Sequence, residues 1–570
     1  MANERLRFDL TGERWLPVLR MDGSHDVLSL RDVFAQAGDL RRIVGDLPTQ
    51  EFALMRLLLA ILHDAVDGPR DLDAWEDLWE NGLPVGRLQK YLDDHVERFD
   101  LLHPDMPFLQ TPSLHTVKDE VSSLDKIVAD VPNGARLFTM RGRGVDRLTY
   151  AEAARWLVHT HAFDTSGIKS GAVGDPRVKG GKGYPQGVAW AGSLGGVLAV
   201  GDDLRTTLLL NLIAFDTGTL QIDPRHDRPA WRREVPTAAP LSDTEAARRP
   251  HGVRDLYTWP SRRVRLHFDD TGVLGVVLAY GDPLAAHNKH RLEPMTAWRR
   301  SPAQEKKLRE EQIYLPREHD PARTAWRGLG AVIAGRAEGA QQRNEAAAIV
   351  RPRILDWVAR LTVEGLLPQE FLLRARLIGA RYGTQQSVID EMIDDEVQMP
   401  VVLLHDQDHE LGIEAIDAVA DADQAVRLLG DLAAGLATAA GDSPEPRKDT
   451  ARNQGYALLD GPFRSWLAAL SPGDDPDTVR TAWRRTAYSI IRRVGADLVA
   501  GAGDAAWQGR VVTAKEGRTI WLSATRAEQI FLARLAQALP AGPPPSTIPA
   551  SSAAAAVNAP ESTSTMKASS

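Results

Sequence analysis

The 570-residue chain contains no cysteine. A disulfide framework, a thiolate zinc site, an iron–sulfur cluster and a cysteine nucleophile are therefore excluded. Lysine is scarce: 12 of the 68 basic residues are lysine and the other 56 are arginine. No run of about 18 apolar residues occurs, and the opening MANERLRFDL lacks the apolar centre of a signal peptide. A soluble cytoplasmic protein without a membrane partner is expected. Acidic residues outnumber basic ones, 77 to 68, for a net charge of −9. That excludes a globally basic nucleic-acid binder but leaves room for a local basic patch. Two catalytic signatures also fail. In the segment 174–183, GDPRVKGGKG, Pro176 stands where a phosphate-binding loop needs its first glycine, and Gly183 stands where it needs Ser or Thr. In GIKSG at 167–171, Lys169 occupies the nucleophile position of a Gly-x-Ser-x-Gly elbow.

What is present is ordinary globular composition, 43% hydrophobic and 25% charged. The first segment reads as two short strands about Asp22-Gly23, then a helix. Apolar residues at 52, 54, 57, 58, 61 and 62 predict a helix over 49–65, with Pro48 in the first turn. Thr149 and Glu152 form a capping box that starts another helix. Helix or buried strand is expected at 203–215, and strands at 262–268 and 272–280. Residues 371–396 read as a β-hairpin turning near Gly383. Four Ala/Leu-rich helical segments follow, at 410–440, 450–471, 475–500 and 524–539, which suggests an antiparallel bundle. The expected fold class is α+β: a large mixed α/β N-terminal domain over 1–398, then a C-terminal four-helix bundle over 399–540. Residues 541–570 are a Pro/Ala/Ser tail expected to be disordered.

The segment 164–196 stands apart. It carries ten glycines, and three of the 12 lysines (Lys169, Lys179 and Lys182) fall within 14 residues of it. From Arg136 to Lys182 nine basic residues face four acids, a local +5. Glycines let backbone N–H groups approach a ligand closely, and lysines add point charges for phosphate. A narrow minor groove suits such a loop; a mobile surface loop with incidental charge has the same composition. The His/Asp cluster at 405–410 offers a second chemistry. His405 and His409 lie four apart, with Asp406, Asp408 and Glu410 nearby, as a metal-dependent phosphodiesterase would need. A polar linker entering the bundle, with acids near a helix N-terminus, is the favoured reading. His159 and His161 do not share a helix face and read as histidines without special chemistry. His287 and His290 flank Lys289 in a polar loop that could touch phosphate.

Several separated segments together resemble one family, the large (CasA-type) subunit of the type I-E CRISPR Cascade surveillance complex. They are ERWLPV at 13–18, the apolar helix at 49–65, HPDMPFLQT at 103–111, NGARLFTMRGRG at 133–144, FDTSGIKSG at 163–171, DDLRTTLLLNLI at 202–213, RPAWRRE at 228–234, VRDLYTWP at 253–260 and RYGTQQSVID at 381–390. They occur in matching order. The resemblance implies a non-catalytic subunit without a cofactor. It would work beside guide RNA-containing Cascade subunits, inspect double-stranded target DNA for the protospacer-adjacent motif through the minor groove, begin duplex opening, and help recruit a separate helicase–nuclease. Sequence recognition of the target itself would be left to base pairing. The resemblance places a motif-reading glycine loop at 164–171, with Ser166, Gly167, Lys169 and Gly171. It places a glutamine wedge at Thr384-Gln385-Gln386, with Gln385 preferred, and a minor-groove lysine at Lys289. Lys179 and Lys182 form the accompanying basic segment. Phe138, Arg141 and Arg143 would lie near the guide 5′ end or a neighbouring subunit.

Overall fold

The computed structural model describes residues 6–131, 144–218, 220–333, 349–405, 409–513 and 519–540. Its first sheet is antiparallel, with β1 (Leu16–Arg20) between β2 (His25–Leu28) and β3 (Leu40–Ile43). Helix α1 (Pro48–Val66) follows and runs through the core. Pro48 sits where a missing N–H costs nothing, and every residue from Thr49 to Ala65 is buried. A helix buried on all sides needs partners for its charged residues. Each of three finds one far along the chain. Glu51 meets Arg376 at 2.6 Å, Arg56 meets Glu293 at 2.8 Å, and Asp64 meets Arg254 at 2.9 Å. These pairs fix where the later segments dock on α1.

Helix α2 (Tyr150–Phe163) begins with the expected capping box of Thr149 and Glu152 and packs on α1. Residues 164–196 have little regular structure beyond a short ladder between β4 (Lys169–Ser170) and β5 (Lys182–Gly183). Strand β6 (Gly196–Val200) leads to a helix at Leu204–Leu210. The expected strand pair is present as β7 (Arg262–Asp269) and β8 (Gly272–Tyr280), joined by a tight turn. Asp269 closes that turn by accepting the Thr271 N–H at 2.9 Å. The long hairpin β9 (Leu372–Tyr382) and β10 (Ile389–Pro400) pairs through β9 with β6, so the sheet order is β10-β9-β6. The hairpin's free end, 383–388, projects past the sheet.

Four long helices complete the fold: α3 (His409–Ala440), α4 (Pro444–Ala468), α5 (Pro476–Ala500) and α6 (Ala524–Ala538). Helix α3 packs against the other three, and small residues allow the approach. Gly455 of α4 faces Val426 and Leu429, and Gly495 of α5 faces Phe531 of α6. The helices are tied to the hairpin. Arg464 of α4 meets Asp395 of β10 at 3.0 Å, and Phe463 stacks on Trp326 at 4.4 Å. Among the described residues, no helix is long and apolar enough to cross a membrane.

Candidate nucleic-acid interface

The glycine loop and the hairpin tip, more than 200 residues apart in sequence, touch. The Ser166 N–H donates to the Gln386 carbonyl at 2.7 Å, and the Ser166 hydroxyl accepts the Gly187 N–H at 3.0 Å. Tyr382, at the end of β9, donates its hydroxyl to the Phe163 carbonyl at 2.7 Å. Tyr280 donates to the Gly167 carbonyl at 2.7 Å. Loop and tip are therefore held against each other.

The base of the loop is clamped by charge. Asp164 receives Lys169 Nζ at 2.7 Å and the Nε of Arg262. Arg262 also donates to the carbonyls of Asp164, Thr165 and Gly187 at 3.0–3.1 Å. Burial alone would raise the Asp164 carboxyl pKa, but the charges of Lys169 and Arg262 outweigh it and hold the pKa below the ordinary value. Lys169 was expected as a cation for DNA. It is buried and spent on Asp164, so it holds the loop and offers no free charge. Gly171 likewise serves packing, since a Cβ there would collide with the backbone of Gly181.

The exposed cations lie at the loop's outer turn. Lys179 and Lys182 exchange backbone hydrogen bonds at 3.1 and 3.2 Å across Gly180 and Gly181. Both glycines have positive φ, 58° and 71°, as a two-residue hairpin turn of this kind requires. Both lysines are exposed and have no carboxylate partner among the described residues. Arg147, Arg155 and Arg177, counted in the local excess, are instead paired with Asp269, Asp46 and Asp175. Three residues missed by the sequence reading join this surface: exposed Lys126, and the half-exposed Ile168 and Tyr184. A bulky apolar residue within a glycine–lysine stretch was the available signal.

The hairpin tip holds two glutamines in the left-handed region, Gln385 at φ 56° and Gln386 at φ 55°. Non-glycine residues rarely occupy it, and such strain gathers at functional tips. Thr384, Gln385 and Gln386 are all exposed. The two glutamines line different spaces. Gln385 lines a cleft of about 640 Å3 with Lys126, Val131, Ser166–Lys169 and Ser387. Gln386 lines a smaller cavity of about 230 Å3 beside Gln186 and Tyr280. Lys289 lines neither; it is half-buried, and desolvation lowers its pKa. Phe138, Arg141 and Arg143 lie outside the described residues.

The histidines belong to the framework. His159 lies 2.9 Å from the Thr49 hydroxyl, and His161 lies 2.8 Å from the Leu109 carbonyl. Burial lowers both to about 4. His405 meets the Thr362 hydroxyl at 2.7 Å, while Asp406 and Asp408 lie outside the described residues. Among the described residues, no three His, Asp or Glu side chains are grouped to hold a metal ion.

Three comparisons bear on this arrangement. The family model described as CRISPR-associated protein Cse1 matches residues 9–494. The crystal structure of Thermobifida fusca Cse1 is 61% identical with a TM-score of 0.87, covering 95% of this chain and all of that one. A curated relative, CRISPR-associated protein CasA/Cse1 of Thermus thermophilus, is 31% identical over 343 residues. That match covers 57% of this chain, which thus spans 60% of the length of the curated relative. A chain of a CRISPR RNA-guided surveillance complex shares the fold at a TM-score of 0.64 and 19% identity, covering 87% of this chain and all of that one.

Proposed function

The chain belongs to the Cse1 family of CRISPR-associated proteins, and we propose that it is the non-catalytic large subunit of an RNA-guided interference complex of the type I-E Cascade kind. In this reading it inspects duplex DNA for a protospacer-adjacent motif and opens the helix beside it. Lys179, Lys182 and Lys126 contact phosphates, which supplies affinity without sequence information. Gly167 approaches the minor groove, where little side-chain bulk fits, while buried Ser166 holds the loop to the hairpin tip. Gln385 then enters the stack at the motif's edge. Its flat amide can cover an exposed base pair, and its strained backbone keeps the tip from folding back. Unstacking costs a few kcal/mol, returned by pairing with the guide. The guide 5′ end or a neighbouring subunit is the partner this reading assigns to Phe138, Arg141 and Arg143. A separate helicase–nuclease is recruited once the duplex is open, and the work takes place in the cytoplasm.

One observation carries the reading: the hydrogen bond from Ser166 to Gln386, which holds the proposed groove-reading loop against the proposed wedge. The test is the assembled complex on supercoiled target DNA. Gln385→Ala should fold normally and bind motif-bearing duplex, yet open it poorly. Unchanged opening by that variant would refute the wedge.

A further inference from the structure

Strand β7 begins with two arginines that hold different things. Arg262 grips the glycine loop through Asp164. Arg263 donates Nε to the Thr237 carbonyl at 2.6 Å, and terminal N–H groups to the Ala239 carbonyl at 3.0 Å and the Asp282 carboxylate at 2.7 Å. The segment it fixes walls a second cavity, of about 480 Å3. Seven of the residues lining that cavity are arginines and three are acids, in a chain whose net charge is −9.

Three of those arginines are paired: Arg232 with Asp64, Arg262 with Asp164 and Arg263 with Asp282. Arg233 and Arg249 share the buried Asp255 carboxylate at 3.0 and 2.5 Å, with buried Asp227 also acting on Arg233 and Glu245 on Arg249. Arg98 is half-buried, and its donors go to the carbonyls of Arg233 at 2.9 Å and Ala230 at 3.3 Å. It has no carboxylate partner among the described residues, and neither does Arg228 at the exposed rim. A guanidinium withdrawn from water without an opposite charge is costly. The buried hydroxyl of Thr111, on the same wall, has no hydrogen-bond partner. The wall is also stiff: Arg249 lies over the Trp259 ring at 5.0 Å.

We propose that this cavity binds a phosphate ester of nucleotide size, with its phosphate on Arg98 and Arg228. Forked guanidinium donors match phosphate oxygens, and the volume falls in the usual small-ligand range of roughly 300–1,000 Å3. Glu234 and Glu245, both exposed at the rim, oppose a long polyanion lying across the mouth. They favour a free nucleotide or the phosphorylated end of a strand. Arg262 lines this cavity and also grips the glycine loop, so the two regions adjoin.

Calorimetry on the full chain tests it with three probes: AMP, a short 5′-phosphorylated single strand, and the same strand without the phosphate. At least one phosphorylated probe should bind, and the unphosphorylated strand should bind at least tenfold more weakly. AMP alone binding assigns a free nucleotide; preference for the strand assigns a strand end. Arg98→Gln and Arg228→Gln should each weaken binding about tenfold. Arg228→Gln, being exposed, should leave the ligand-free melting temperature unchanged. Lys179→Ala/Lys182→Ala should leave the affinity for AMP unchanged. No binding of either phosphorylated probe at millimolar concentration would overturn the proposal. Equal binding of the unphosphorylated strand, or full affinity in both arginine variants, would do the same.

Discussion

Asp164→Asn isolates what the clamp beneath the glycine loop contributes. The wild-type carboxylate holds two buried cations, Lys169 at 2.7 Å and Arg262. Asparagine keeps the shape but removes the charge that both were desolvated to meet. Removing one partner of a buried pair costs about 3–5 kcal/mol. Arg262 retains three carbonyl acceptors. The expected loss is therefore near the low end, about 3 kcal/mol, against a typical total of about 5–15 kcal/mol. Lys169→Met should cost less, because Asp164 keeps Arg262 and an apolar chain fills the same space. The assay is the denaturant midpoint of each variant, with amide exchange at Ser166 reporting whether the bond to Gln386 opens. The clamp also has a pH signature. The folded-state pKa of Asp164 lies below its unfolded value, so its contribution is complete above the ordinary carboxylate range and is lost as pH falls through the lower folded value. If Asp164→Asn shifted stability by less than about 0.5 kcal/mol, within the range of an ordinary surface substitution, the clamp would be refuted.

Other outcomes follow from the same contacts. Lys179→Ala/Lys182→Ala should weaken binding to all DNA sequences alike, and should reduce the slope of log affinity against log salt by about two; an unchanged slope would remove these lysines from the phosphate path. Gly171→Ala should disrupt the β4–β5 ladder, because its Cβ meets the Gly181 backbone, and should lower motif affinity even though no direct contact to DNA is removed. His63, His159 and His161 are lowered by burial to about 3, about 4 and about 4. Each binds a proton more readily when unfolded, so stability is complete above pH 6.5 and falls toward pH 4, at up to about 1.4 kcal/mol per pH unit for each histidine. Unfolding curves flat over that interval would show that these rings are not buried neutral.

The elements of the interface were legible wherever the signal is local. Two strand-like segments about a turn at Gly383 marked the hairpin, and the glycine count with clustered lysines marked the loop. The long helices announced themselves through their 3.6-residue pattern. The family resemblance, not the local pattern, brought Gln385 forward. Side-chain partners across long separations were not readable. Nothing near Lys169 says that its charge is spent on Asp164, and nothing near Asp164 points to Arg262, 98 residues away. The arginine-lined cavity draws on residues from Arg98 to Asp282, each in a segment that reads locally as an ordinary polar loop or strand start. Counting charges along the chain overstated the free basic surface, because Arg147, Arg155 and Arg177 are paired in three dimensions.

The most direct measurement places 2-aminopurine in the base pair next to the motif and follows its fluorescence as the assembled complex binds. Wild type and Gln386→Ala should both brighten as the base unstacks, because Gln385 alone faces the loop-lined cleft; Gln385→Ala should bind and stay dim. Brightening that survives Gln385→Ala, or that is lost only in Gln386→Ala, would contradict the account.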